Sequence, residues 1–147
     1  AAFRSASPAR NPANPRELPG PTGESNRYFL APRQRVLCLG PGAEAAEMQA
    51  SQARAMGCST VAIAPGCQSG LNGVVDAETL HQLESVDAVV SWSDHAGAYR
   101  QALAKREGAI VPLLCGAEFA QWLVLERHAC IDTTAAGGNA ALLGGAS

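Results

Sequence analysis

From Arg35 onward, short uninterrupted apolar runs alternate with stretches whose apolar positions recur at helical spacing. Val36-Leu37-Cys38-Leu39 reads as a strand that stops at Gly40-Pro41-Gly42. Ala43 to Met56 is alanine-rich, with Glu44 and Glu47 at its start and Gly57 just past its end. Acidic residues suit the positive end of a helix dipole, and glycine suits the left-handed turn that ends a helix. Thr60 to Ala64 gives a second strand closed by Pro65-Gly66, residues 66–73 a loop, and Ala77 to Leu83 a short helix.

Val86 to Trp92 is a third strand, buried on both faces to judge from Ala88-Val89-Val90. Ser93-Asp94 is placed to cap a helix from His95 to Arg106, in which Tyr99, Ala102 and Leu103 share one face. Lys105 and Arg106 fall in its last turn and Gly108 at its end. Ala109 to Cys115 is a fourth strand in which Pro112, lacking an N–H, marks an edge or bulge. A short helix around Glu118–Trp122 and a last strand from Arg127 to Thr133 complete the pattern. Continuous apolar strands alternating with helices predict an α/β fold: a Rossmann-like parallel sheet with helices on both faces. No internal repeat is present.

The two ends differ from this middle. Six of the nine prolines precede residue 33, so residues 1–33 are expected to be irregular or extended, with a defined turn at Leu18-Pro19-Gly20-Pro21-Thr22-Gly23-Glu24. The tail Asp132 to Leu143 is rich in alanine, glycine and threonine and buries too little area to order itself. The expected division is an extended Pro/Arg-rich leader over 1–34, a Rossmann-like domain over 35–126, and a last strand with a C-terminal flap over 127–147.

At 147 residues, 47% apolar and 16% charged, the chain has the size and composition of one globular domain. Residue 1 is Ala rather than Met, and a piece of a longer polypeptide is expected. No apolar run reaches the roughly 20 residues that span a bilayer, and the first residues do not follow a signal-peptide order. Residues 1–35 carry six arginines against Glu17 and Glu24, while residues 36–147 carry five basic and eleven acidic side chains. The leader's charges are scattered among prolines without an aromatic platform, so it reads as a solvated linker contacting an acidic neighbour, and nucleic acid is not expected. The five cysteines are odd in number and lack Cys-x-x-Cys spacing, which predicts no metal site and fits a reducing, cytoplasmic setting.

Three constellations could carry chemistry. Gly40-Pro41-Gly42-Ala43-Glu44-Ala45 matches a dinucleotide-binding turn, in which Gly40 and Gly42 would bring backbone N–H groups to a pyrophosphate. Pro41 removes a donor, Glu44 and Glu47 place negative charge nearby, and the second strand ends in Ala64-Pro65-Gly66 without the ribose-binding carboxylate. A structural βα turn is the expectation, and a small NAD(P)-binding module using Gly40 and Gly42 the alternative. Cys130 and His128 point the same way on one strand but no carboxylate is placed to orient the ring, so nucleophilic catalysis is not expected. His81, His95 and Asp94 read as helix-surface or capping residues. Trp92 and Trp122 each end an apolar run and read as core or interface residues.

Two segments resemble a known family. Leu18-Pro-Gly-Pro-Thr-Gly-Glu24, followed by Asn26 and Arg35-Val-Leu-Cys-Leu39, and the ending Thr133-Thr-Ala-Ala-Gly-Gly-Asn-Ala-Ala-Leu142 are similar to the C-terminal part of proline utilization A. That family comprises multifunctional bacterial proteins joining a proline dehydrogenase to an L-glutamate γ-semialdehyde dehydrogenase. The resemblance runs from about Leu18 to Leu143 and departs from the usual ending at Gly144 to Ser147. It implies a noncatalytic Rossmann-like domain of the aldehyde dehydrogenase superfamily, with no catalytic, metal or cofactor site of its own. FAD and NAD would belong to the parent enzyme, whose dehydrogenase module in the same polypeptide is the implied partner. The implied role is to support that module and seal the tunnel carrying the semialdehyde, with Thr133, Thr134, Gly137, Gly138, Asn139 and Leu142 docking as a flap. A small-residue strand lets two backbones approach closely, and threonine and asparagine can satisfy backbone groups across such a contact.

Overall fold

The computed structural model describes residues 15–132. In chain order its strands are β1 (Arg16–Leu18), β2 (Glu24–Pro32), β3 (Arg35–Cys38), β4 (Ser59–Ala64), β5 (Leu71–Asn72), β6 (Ala88–Val90), β7 (Leu113–Leu114) and β8 (Val124–Asp132). The helices are α1 (Gly42–Ala55), α2 (Ala77–Gln82) and α3 (Ala96–Ala104), with a 3-10 helix over Phe119–Leu123. The described chain divides into two compact units, residues 32–125 and residues 15–31 with 126–132.

The larger unit is built on a five-stranded sheet in the order β5-β4-β3-β6-β7. Every pairing in it is parallel, with Leu37 opposite Val61 on one side and Val89 on the other. The chain starts at the centre with β3, moves out through β4 and β5, then crosses back to β6. That reversal between β3 and β6 is the point where open α/β sheets receive ligands, outside the carboxyl ends of the strands.

Strand alternation sends successive side chains to opposite faces, and two cores result. Val36, Cys38, Ala62, Ala64, Ala88 and Val90 pack with Ala46, Ala50 and Ala53 of α1 and with Phe119 and Leu123. Leu37, Leu39, Val61 and Val89 pack on the other face with Leu80 of α2 and Tyr99 and Leu103 of α3. The alanine stripe of α1 lets that helix lie close to the sheet. Its end closes as a Schellman turn: the Gly57 N–H reaches Arg54 O at 2.9 Å and the Cys58 N–H reaches Ala53 O at 3.1 Å. Gly57 has φ 89°, which only glycine adopts at low cost.

Helix termini are satisfied differently from the sequence expectation. Asp76 caps α2 by accepting the Thr79 N–H at 2.7 Å. The N-cap of α3 is His95, with no side-chain bond, so Asp94 does not cap it. The Ser93 hydroxyl pairs with Ser91 at 2.9 Å and its carbonyl receives the Ala96 N–H instead. Arg106 lies beyond the end of α3 and donates to the carbonyls of Leu80, His81 and Leu83, closing the C-terminus of α2.

Several strands are shorter or lie elsewhere than expected. β6 keeps only Ala88–Val90 of the 86–92 run, and β7 keeps Leu113–Leu114, just past Pro112. Pro112 cannot donate, but its carbonyl accepts the Val89 N–H at 3.0 Å, so the pairing begins there. The 66–73 loop contains the edge strand β5. β8 joins a different sheet from the parallel one, in the order β1-β2-β8. Within that smaller unit β1 and β2 are antiparallel, Arg16 opposite Tyr28 and Leu18 opposite Asn26. Over 16–32 the leader is therefore extended for most of its length, with Arg16–Leu18 paired to residues 26–28 as a hairpin. Its turn is closed by the Glu24 N–H on Pro21 O at 3.1 Å, with Gly23 at φ 89°.

Candidate functional site

The glycine turn between β3 and α1 lies beside the strand-order reversal. Gly40 and Gly42 have φ of 80° and 77°, in the left-handed region. A Cβ on Gly40 would stand 2.5 Å from the Gly42 carbonyl oxygen and 2.7 Å from its nitrogen, so glycine is required there. The Gly40 N–H does not point outward. It donates to Gln49 Oε1 at 3.0 Å, while Gln49 Nε2 donates to the Gly40 carbonyl at 3.4 Å. That carbonyl also accepts the Trp92 N–H at 2.7 Å. Gln49 is fully buried.

The buried amide of Gln49 thus takes both polar groups of the Gly40 peptide. In a working dinucleotide turn, backbone N–H groups at the start of the helix face the ligand. Pro41 is the N-cap of α1 and supplies neither an N–H nor a side-chain cap, and Glu44 occupies the first turn. Around Gly42 the space is open, with nothing within 4 Å of a Cβ built there. At the end of β4 the chain runs Ala64-Pro65-Gly66, and the Gly66 N–H is taken by Asn72 Oδ1 at 2.9 Å.

Glu47, two residues before Gln49 on α1, turns its carboxylate to the loop after β4 rather than to the glycine turn. Its Oε1 accepts the N–H groups of Gln68 at 2.8 Å and Ser69 at 3.0 Å and the Cys67 thiol at 3.3 Å. The Ser69 and Gln68 backbone donors, with the Cys67 thiol, hold its carboxyl at about 2.

Four of the thiols are held in the protonated form. Burial raises Cys38 to about 12 and Cys58 to about 11. Cys67 is raised by burial and by the Glu47 carboxylate. Cys130 is exposed and donates to Glu24 Oε1 at 2.8 Å, which raises it and lowers Glu24. A thiol that donates to a carboxylate is a poor nucleophile, because the thiolate would lose that bond and face a like charge. His128 is not its hydrogen-bond partner. His81 Nδ1 stands 3.5 Å from Glu78 on the same helix, and His95 lies against Tyr99 with ring centroids 6.4 Å apart. Among the described residues no group of three or more His, Cys, Asp or Glu is placed to hold a metal ion. No helix among them is long and apolar enough to cross a membrane.

Of the two tryptophans, Trp92 packs edge-on against Phe119 at 6.0 Å and donates Nε1–H to Gly116 O at 3.1 Å. Trp122 is 62% exposed and is not a core residue. It borders a hollow of about 410 Å³ with Leu114, Cys115 and Phe119. The expected docking residues Thr133, Thr134, Gly137, Gly138, Asn139 and Leu142 lie outside the described residues. Gln49 and the target of Glu47 went unread in the sequence. Gln49 did carry a signal, since it interrupts the buried stripe Ala46, Ala50 and Ala53. A polar side chain on such a stripe must find a buried partner.

Fold and turn together define an open parallel α/β module whose glycine turn is bonded by its own helix. No family model matches the chain. It is 35% identical over 146 residues to the bifunctional protein PutA of Salmonella typhimurium, covering 87% of this chain and 11% of that one. The Escherichia coli and Rhizobium meliloti proteins of the same name are each 34% identical, covering 87% and 86% of this chain. A proline utilization A structure with proline bound in remote sites superposes at a TM-score of 0.53 with 23% identity, over 69% of this chain and 13% of that one. A Bradyrhizobium japonicum variant superposes at 0.51 with 24% identity, over 68% and 13%. At these identities the structural likeness shows the fold alone. The chain belongs to the proline utilization A family as a segment, spanning about a ninth of the length of the curated relatives it matches.

Proposed function

We propose that this segment is a noncatalytic, Rossmann-like domain from the C-terminal end of a cytoplasmic proline utilization A flavoenzyme. The parent would oxidise proline to glutamate through glutamate semialdehyde, with FAD and NAD bound elsewhere in the polypeptide. This domain, residues 35–126, would support the aldehyde dehydrogenase module. It would also help enclose the channel that retains the semialdehyde, with Thr133, Thr134, Gly137, Gly138, Asn139 and Leu142 of the C-terminal flap docking on that module.

The observation that carries the noncatalytic part is the pairing of Gly40 with Gln49, which takes one of the backbone donors a pyrophosphate could use. The open space at Gly42 favours the second reading, a small NAD(P)-binding module. Calorimetry with NAD on the 147-residue chain separates the two: no heat of binding is expected, and one-to-one binding overturns the proposal. The sealing role has its own test. Deleting residues 133–143 from the full-length parent should lower coupled proline-to-glutamate flux and release semialdehyde to solution. Unchanged flux with no released intermediate would refute it.

A further inference from the structure

The loop that follows β4 directs several donors at one acceptor. Three of them converge on one oxygen, Glu47 Oε1: the N–H groups of Gln68 and Ser69 and the thiol of Cys67. Consecutive backbone N–H groups aimed at one point form a nest, a concavity that binds anions.

The conformation of this loop is fixed by bonds that leave Glu47 out. The Cys67 and Gly73 N–H groups donate to Ala64 O at 3.1 and 3.3 Å, and Asn72 Oδ1 holds the Gly66 N–H at 2.9 Å. Gly70 passes so near the carbonyl of Ala62 that no Cβ fits there. β5 then pairs with β4, Ile63 opposite Leu71. The loop's path therefore rests on bonds other than those its donors make to Glu47.

We propose that residues 67–69 form an anion-binding nest at the carboxyl end of the sheet, and that Glu47 is its resident ligand. The anion class is a carboxylate, with small oxyanions such as phosphate sharing the same acceptor chemistry. The inference deepens the noncatalytic reading, on which it rests: Gln49 takes the Gly40 peptide and Glu47, two residues earlier on α1, takes the neighbouring loop. One helix supplies both internal occupants.

Chemical rescue tests this in the 147-residue chain. In Glu47→Ala the amides of Gln68 and Ser69 should exchange with solvent about tenfold faster, as expected for losing a charge-assisted bond. Acetate, which replaces the missing carboxylate, should restore their protection saturably and leave the native chain unchanged. Phosphate titrated separately shows whether the nest also admits a tetrahedral anion; saturable shifts confined to these two amides support the proposal. Acetate that leaves the variant's amides unmoved, or that shifts the native chain equally, overturns it. Should Glu47→Ala fail to fold, Glu47→Gln keeps a neutral acceptor of the same shape. Its two amides should exchange faster than native, and native rates would overturn the proposal. Failed rescue without NAD binding removes this inference alone, whereas NAD binding to the native chain removes the noncatalytic reading.

Discussion

The parallel-sheet unit and the three-stranded ribbon are held by different physics. In the sheet unit strand alternation feeds two apolar clusters, one on each face, and the helices cover both. In the ribbon, residues 15–31 and 126–132, Asn26 is the one buried residue among those described. Its side-chain bonds are polar and exposed: Arg27 with Glu17 at 3.6 Å, Ser25 with Glu17 at 2.7 Å, Cys130 with Glu24 at 2.8 Å. Leu30 and Ile131 remain 43% and 49% exposed. A few strands without a packed face are marginal alone. The contrast teaches that one unit is stabilised by burial, and the other by backbone pairing with little burial to add.

The largest effect comes from breaking the buried side of that contrast. Phe119 is 1% exposed, packs into the cluster under α1, and meets Trp92 edge-on. Truncating it leaves a cavity in a site walled by strands and a helix, which is poorly able to collapse. Phe119→Ala should therefore cost about 3–5 kcal/mol in urea unfolding followed by circular dichroism. A loss below about 1 kcal/mol would mean that the cluster relaxes into the gap and burial is not what holds this unit.

The same contrast explains what could be read from the sequence. The apolar runs at Val36-Leu37-Cys38, Thr60 to Ala64 and Ala88-Val89-Val90 declared themselves because a strand buried on both faces needs apolar residues at every position. α1 was legible from its alanines and from Gly57. β5 was not, because Leu71-Asn72 is two residues long, exposed, and formed only by pairing with β4. Nor was the place of β8, since alternation specifies a strand but not the sheet it joins. At the glycine turn the missing donor of Pro41 was visible in one dimension. The pairing of Gly40 with Gln49 needed the turn of a helix to bring residues nine apart together. Arg106 was assigned to its own helix by proximity in sequence, whereas its long side chain reaches the carbonyl end of α2.

The smallest effect belongs to the ribbon. Arg27 and Glu17 sit on paired strands with side chains 52% and 61% exposed, where water and salt screen the attraction and ordering two long side chains opposes it. Arg27→Ala should then lower stability by at most about 1 kcal/mol, and less as salt is raised. The informative comparison is amide exchange in β1 and β2, because pairing rather than the ion pair is held responsible for their order. If the variant keeps native protection at Arg16, Leu18 and Tyr28, backbone pairing suffices. If protection there collapses while the sheet unit is untouched, a screened surface pair is organising the ribbon, and the division between burial and pairing fails on its weaker side.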